Sequence, residues 1–300
     1  MPTFDLSSLP SPILIAGDAT TAYRDPCAVY DNGVLHLFYT LVTVETDGAV
    51  YLYLAKSTST DLLKWSPPRI LTRRNQAENF SSPGSIVRYN GEWVLSLQTY
   101  PRQNGEKYAN DTARVWIMRS GDLETWSEPE LLRVKGPDVP DTEMGRMIDP
   151  YILVDKDDPG LYWCLYKQNG ASLSSSRDLT IWTYNGHFES GENVCVLNEP
   201  DGYVLFHSPE NGVGIKRSTD LRSWTDAGTL TLGQADWPWA QGRLTAGFVL
   251  DLCDVAGVEA YVMFFHGSGP EDESVIFDTH ACIGIAWSYD LAEWTWPGKA

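Results

Sequence analysis

The sequence predicts an all-β chain, a five-bladed β-propeller of four-stranded antiparallel blades, and three observations predict it. A seven-residue pattern, Ser-x-Asp-Leu-x-x-Trp, begins at Ser59, Ser120, Ser176, Ser218 and Ser288, and its Asp residues stand 61, 56, 42 and 70 positions apart. A recurring unit of this size marks radial or solenoid repetition. Short runs of β-branched and aromatic residues surround each copy. Finally, the chain stops soon after Trp294, at Trp296-Pro297-Gly298-Lys299-Ala300, too soon for a full outer strand. A spare strand, Ser11-Pro12-Ile13-Leu14-Ile15, waits near the N-terminus to supply it.

Each element follows from local chemistry. In the first repeat the strand-forming runs are Cys27–Tyr30, Val34–Thr40, Tyr51–Ser57 and Arg69–Thr72. In the heptapeptide, Ser and Asp side chains bond nearby backbone and hold a tight turn. The Trp then opens the next strand and buries its ring against a neighbouring unit. These residues are therefore blade punctuation, not catalysis. No long helical pattern interrupts the strands, and units that cannot bury their faces alone imply one domain over residues 1–300.

Composition narrows the function. The 300 residues carry 22 Lys+Arg against 40 Asp+Glu, a formal net charge of −18, which excludes bulk neutralisation of nucleic-acid phosphates or an anionic membrane. No apolar run reaches a membrane span. Met1 to Gly17 lacks Lys and Arg, so no secretory signal is read there, and a cytoplasmic location is expected. The five cysteines lack CxxC spacing and read as reduced core thiols. The 36 aromatics, 12 of them Trp and 15 Tyr, suit a chain that packs rings between blades and stacks on sugars.

Aligned on their first strands, the repeats lead with Asp25, Ser82, Asp149, Glu192 and Thr245. Each begins a strand lining the central channel, so three carboxylates and two hydroxyls converge at one mouth. Like charges there repel and raise one another's pKa, an arrangement that serves chemistry and not folding. The second strands place Tyr39, Gln98, Lys167, His207 and His266 at a matching late position, with Gln98, Lys167 and His207 as candidate substrate contacts and the two histidines as channel-lining groups. Arg243 shares a strand face with Thr245, two residues on. Trp237 and Trp239 lie in a loop just before that strand, where exposed rings would stack on a sugar.

Paired carboxylates, hydrogen-bonding groups and aromatics without a cofactor motif describe glycosidic bond cleavage. Arg24-Asp25-Pro26 followed by Val34–Thr40, then Ile148-Asp149-Pro150-Tyr151 and a Glu heading the next blade, resemble glycoside hydrolase family 43 and its five-bladed relatives. The resemblance spans the whole repeat. It implies an inverting enzyme, with Asp25 the general base, Glu192 the general acid and Asp149 the group that orients the acid and tunes its pKa. It implies an oligosaccharide or glycoside substrate of arabinofuranoside or xyloside type. No cofactor is required, although some members hold a calcium ion on the axis through a last-blade histidine, here matched by His266.

Asn193-Val194 follows Glu192 where family 43 usually shows Gly-Pro, and no appended β-sandwich is present. Arg24-Asp25-Pro26 also resembles a motif of the fructan hydrolases, which retain configuration and would make the first Asp a nucleophile. In that group the motif falls in a middle blade, and their Asn-Asp-Pro-Asn opening is missing here. Sialidases carry a longer Asp-to-Trp interval and need an arginine cluster with a Tyr nucleophile, which the sequence does not assemble. A phosphorolytic propeller would use Arg146, Lys167, His207 and Arg243 on phosphate. A sugar-binding propeller would not need the three acids. Long connections at Thr43–Gly48, Gln103–Thr112, Lys135–Arg146 and Gly267–His280 are expected to wall the site and favour exo action, and the acidic run Glu271-Asp272-Glu273 reads as a solvated loop.

Overall fold

The computed structural model describes residues 4–271 and 277–299. A 3-10 turn (Leu6–Ser8) precedes β1 (Ile13–Ile15). Blade 1 follows as β2 (Thr21–Asp31), β3 (Val34–Val44), β4 (Val50–Ser59) and β5 (Arg69–Ile70). Blade 2 holds β6 (Phe80–Ser81), β7 (Ile86–Tyr89), β8 (Glu92–Thr99), β9 (Val115–Ser120) and β10 (Glu130–Leu131). A single helical turn, α1 (Asp141–Met144), leads to blade 3, made of β11 (Ile148–Val154), β12 (Tyr162–Lys167), β13 (Ala171–Ser176) and β14 (Trp182–Phe188). Blade 4 is β15 (Glu192–Glu199), β16 (Gly202–Ser208), β17 (Val213–Ser218) and β18 (Thr225–Leu230). Blade 5 is β19 (Arg243–Asp251), β20 (Tyr261–Ser268), β21 (Cys282–Ser288) and β22 (Trp294–Thr295).

Every blade is an antiparallel meander, and first strands meet those of the next blade around a ring that returns from β19 and β20 to β2. The predicted fold is what forms. The five heptapeptides also do what their chemistry implies. In each, the Ser hydroxyl accepts the Asp backbone N–H, and the Asp carboxylate accepts the two N–H groups that follow Leu. The Leu is thereby held at positive φ, between 57° and 62° in all five copies. Four of the Trp side chains donate Nε1–H to that Leu carbonyl. Three of these rings then cross to the previous blade, Trp126 against Phe38, Trp224 against Phe188 and Trp294 against Phe206.

Ring closure follows the expectation from the N-terminus. Ile13 and Ile15 pair with Gly284 and Ile283 of β21, while the short β22 takes the rest of the same edge. The tail then reaches blade 1, where buried Phe4 meets the Tyr30 ring edge-on at 5.5 Å. Ring closure in this fold joins two distant pieces of chain, so a local change here acts on the whole circle. Phe4→Ala is expected to cost about 3–5 kcal/mol, as for other buried aromatics. Denaturant unfolding of the variant measures it, and a loss below about 1 kcal/mol would show that the tail is not part of the closure.

Cys27, Cys164, Cys195 and Cys282 are buried, Cys253 is half-buried, and no disulfide joins them. No helix among the described residues is long and apolar enough to cross a membrane.

Candidate active site

The site is built by a bulge repeated in every first strand. In blade 1 the ladder pairs Arg24 with Thr40, then skips to Cys27 with Phe38. The same skip follows Ile148–Lys167 in blade 3, Glu192–Ser208 in blade 4 and Thr245–His266 in blade 5. In blade 2 it is wide enough to split the strand into β6 and β7. The residue at the bulge takes positive φ in all five blades: Asp25 49°, Ser82 46°, Asp149 51°, Asn193 49° and Ala246 53°. Bulges bend a strand and re-aim its side chains, and non-glycine positive φ gathers at functional sites.

This corrects the sequence alignment in two blades. Glu192 and Thr245 stand one residue before the positions equivalent to Asp25, which are held by Asn193 and Ala246. Glu192 still reaches the pocket, because the bulge lets consecutive residues face one way; Arg24 with Asp25, Ile148 with Asp149, and Glu192 with Asn193 all line the same cavity. On the second strands the equivalent set is Thr40, Gln98, Lys167, Ser208 and His266. Tyr39 and His207 are therefore one step out of register, and the two histidines are not equivalent.

The second-strand set links the blades. Thr40 Oγ1 accepts the N–H of Ser82 at 2.7 Å, and Gln98 Oε1 that of Asp149 at 2.6 Å. Ser208 Oγ accepts the N–H of Ala246 at 2.8 Å, and His266 Nδ1 that of Asp25 at 3.1 Å. Four of the five blade junctions are thus tied at the bulge. At the fifth stands Lys167, whose ammonium has no acceptor to offer.

The same side chains set the carboxylates. Thr40 Oγ1 donates to Asp25 Oδ2 at 2.8 Å, and Asp25 Oδ1 carries no hydrogen bond among the described residues. Ser82 Oγ donates to Asp149 Oδ1 at 2.8 Å, and Asn193 Nδ2 reaches that oxygen at 3.2 Å. Asp149 is only 7 % exposed. Burial, then the nearby charges of Glu192 and Asp25, push its carboxyl up to about 7 against the opposing pull of Ser82 and Arg146. Both donors use Oδ1, so the proton belongs on Oδ2. His266 is 2 % exposed, and burial beside Arg24 and Arg243 holds its pKa well below the usual histidine value. It is neutral, with Nδ1 the acceptor and the proton on Nε2.

These groups surround a cavity of about 330 Å³. Beneath it the axis narrows to about 20 Å³ between Pro26, Pro83, Pro150 and their neighbours, room for one water. Gly84 marks how closely the strands approach there, since a Cβ on it would sit 1.4 Å from the Pro150 carbonyl oxygen.

Seven of the sequence candidates meet at this cavity: Asp25, Asp149, Glu192, Gln98, Arg243, Thr245 and His266. Ser82 lies just below, against Asp149. Lys167 and His207 are not in its wall. His207 instead accepts the Gly191 N–H through Nδ1 and packs its ring over Gly214. Trp237 and Trp239 are not in the cavity wall either. They stack on each other at 5.3 Å and on Phe265, with Trp296 edge-on to Trp237, inside blade 5. The wall adds Tyr100, Tyr108, Arg146, Ile148, Asn193 and Phe277, of which Arg146 was singled out only for a phosphate site.

Three of the four long connections contribute through Tyr108, Arg146 and Phe277. Thr43–Gly48 does not, being a tight β3–β4 turn closed by the Gly48 N–H on the Glu45 carbonyl. Of the acidic run, Asp272 and Glu273 lie outside the described residues.

The calcium expectation meets an ill-suited donor set. Calcium takes six to eight oxygen ligands. His266 offers one imidazole nitrogen close to the guanidinium charges of Arg24 and Arg243, and its Nδ1 is already used. No group of three metal-ligating side chains forms among the described residues.

A ring of five four-stranded blades with three carboxylates at one mouth defines a glycoside hydrolase propeller. Residues 23–215 match the profile of the glycosyl hydrolases family 32 N-terminal domain, and the chain belongs to that family. No curated protein matches. Solved structures of similar fold include the catalytic domain of the Coprinopsis cinerea GH62 α-L-arabinofuranosidase, at 15% identity, TM-score 0.66, covering 95% of this chain and 96% of that one. The exo-1,5-α-L-arabinanase from a bovine ruminal metagenomic library is 15% identical with TM-score 0.59, over 90% and 95%. The GH43_1 enzyme from Xanthomonas citri complexed with xylose is 12% identical with TM-score 0.60, over 95% and 93%. At these identities the likeness is one of fold, and it includes the family 43 propeller.

Proposed function

We propose that the protein is an exo-acting glycosidase that removes one terminal sugar, of arabinofuranoside or xyloside type, from an oligosaccharide. The observation carrying this is the cavity itself, which closes at the axis, sits at the small end of ligand pockets and holds Asp25, Asp149 and Glu192 together. Asp25 presents its unbonded Oδ1 to a water, takes its proton and lets the oxygen bond to the anomeric carbon. The glycosidic bond breaks as its oxygen takes a proton from Glu192, and configuration inverts. Asp149, protonated at Oδ2, donates to a sugar hydroxyl and keeps a second negative charge away from the acid.

The match to family 32 favours a second reading, a β-fructosidase-like retaining hydrolase in which Asp25 Oδ1 attacks carbon directly. A panel of 4-nitrophenyl furanosides and pyranosides together with sucrose, followed by proton NMR of the first product formed, separates the two. Initial release of the opposite anomer from an arabinofuranoside or xyloside supports the first. Release of fructose with retained configuration replaces it with the second. Hydrolysis only at internal bonds of a polymer would sink exo action.

A further inference from the structure

Arginines as well as carboxylates face the cavity. Arg24, Arg146 and Arg243 all line it, on the strand or loop edges of blades 1, 3 and 5. Arg24 is tied into carboxylates, 4.0 Å from Asp25 and 3.9 Å from Asp278, and Asp278 is itself held by both oxygens on Arg102. Arg146 and Arg243 have no ion pair among the described residues. Arg146 spends its Nε–H on the Ala109 carbonyl at 3.2 Å. Arg243 lies over the Phe277 ring at 5.4 Å, and its Nε is buried without a partner.

The cavity is far richer in cationic groups than the molecule as a whole. Three guanidinium groups face the cavity alongside its three carboxylates, and among the described residues only Arg24 of the three is engaged by a carboxylate. The chain as a whole carries −18. Arg146 and Arg243 are half-buried and, among the described residues, unmatched by a carboxylate, and a neutral sugar would leave those two charges uncompensated in the pocket. Planar forks of N–H donors match carboxylate, sulfate and phosphate.

We propose that Arg146 and Arg243 grip an oxyanion, so that the glycoside cleaved here carries a carboxylate or sulfate beside the scissile bond. This rests on the glycosidase reading and narrows its substrate class. Arg243 also lines the neighbouring hollow formed with Pro209, Glu210, Asn211 and Thr229. The same fork accepts inorganic phosphate. In that case a phosphate oxygen, not water, bonds to the anomeric carbon as the leaving oxygen takes the Glu192 proton, and a glycosyl phosphate results.

The test is competitive binding of D-glucuronate, D-xylose, inorganic sulfate and inorganic phosphate to the whole protein at low and high salt. Glucuronate should bind at least about tenfold more tightly than xylose at low salt, with the advantage shrinking as salt rises. Arg146→Gln and Arg243→Gln should each bring the two sugars together, while Arg243→Lys keeps part of the preference. If glycoside cleavage speeds up with phosphate and yields glycosyl phosphate, the oxyanion is the co-substrate's, and the grip stands. Equal binding of xylose and glucuronate to the unaltered protein overturns the proposal, whatever the variants do. If neutral glycosides are hydrolysed without anion preference, the glycosidase reading survives alone. If anions bind through the arginines but no glycoside is cleaved, the grip survives alone.

Discussion

Asp25→Asn should lose about 10²–10⁴ in kcat/KM on every glycoside the protein cleaves, whatever the leaving group. Glu192→Gln should lose as much on an alkyl glycoside but far less on a 4-nitrophenyl glycoside, whose oxygen leaves without a proton. The asymmetry follows from the positions of the two groups. Asp25 is fixed by Thr40 on one oxygen and by its own N–H on His266, leaving Oδ1 as the one reactive atom. The amide of Asn keeps the shape but neither takes a proton nor attacks carbon. Azide adds a further discrimination. Azide should rescue Asp25→Ala to the inverted glycosyl azide under either role, so the discriminating variant is Glu192→Ala. If Asp25 attacks carbon, the same rescue in Glu192→Ala should give the retained azide. Similar losses for both variants on both leaving-group classes would end the role assignment.

What the sequence made legible is what local chemistry decides. The heptapeptide turn is set within seven residues, by a Ser, an Asp and a Trp that bond backbone a few positions away, so counting it gives the blades. The ring closure was readable for a similar reason, a missing strand at one end and a spare one at the other. The site was readable by composition but misaligned by one residue in blades 4 and 5. The cause is the bulge, a backbone event that adds a residue without a fixed side-chain signature. Alignment by charge chose Glu192 over Asn193 and Thr245 over Ala246, although Asn193 is the residue that bonds Asp149. An Asn directly after an acid at a strand start, given the tolerance of Asn for positive φ, was the available signal. Trp237-Pro238-Trp239 misled because its local sequence is that of an exposed loop. The rings it stacks on, Phe265 and Trp296, come from far along the chain.

Asp149→Asn should stabilise the protein, and by an amount that grows with pH. Below pH 3.8 the carboxyl is protonated in both the folded and the unfolded chain and does not distinguish them. Between 3.8 and about 7 the unfolded chain releases the proton while the folded chain keeps it, so stability falls as pH rises through that window and levels off above it. A displacement of that size amounts to about 4 kcal/mol at pH 8. Asn removes the dependence, since it never ionises. Its carbonyl still accepts from Ser82, and its amide replaces the proton held at Oδ2. The two proteins should therefore unfold at similar temperatures near pH 4. By pH 8 the variant should lead by several degrees, at about 2 °C per kcal/mol for a chain of this length. The charge that costs stability also costs activity: wild-type kcat/KM should fall above about pH 7 as Asp149 ionises, and the variant should lose that limb along with much of its rate. A stability gap equal at pH 4 and pH 8 would mean that Asp149 is ionised throughout, and the three carboxylates would then need a counter-charge from Arg24, which stands 4.0 Å from Asp25, and from Arg146, whose charge acts on Asp149.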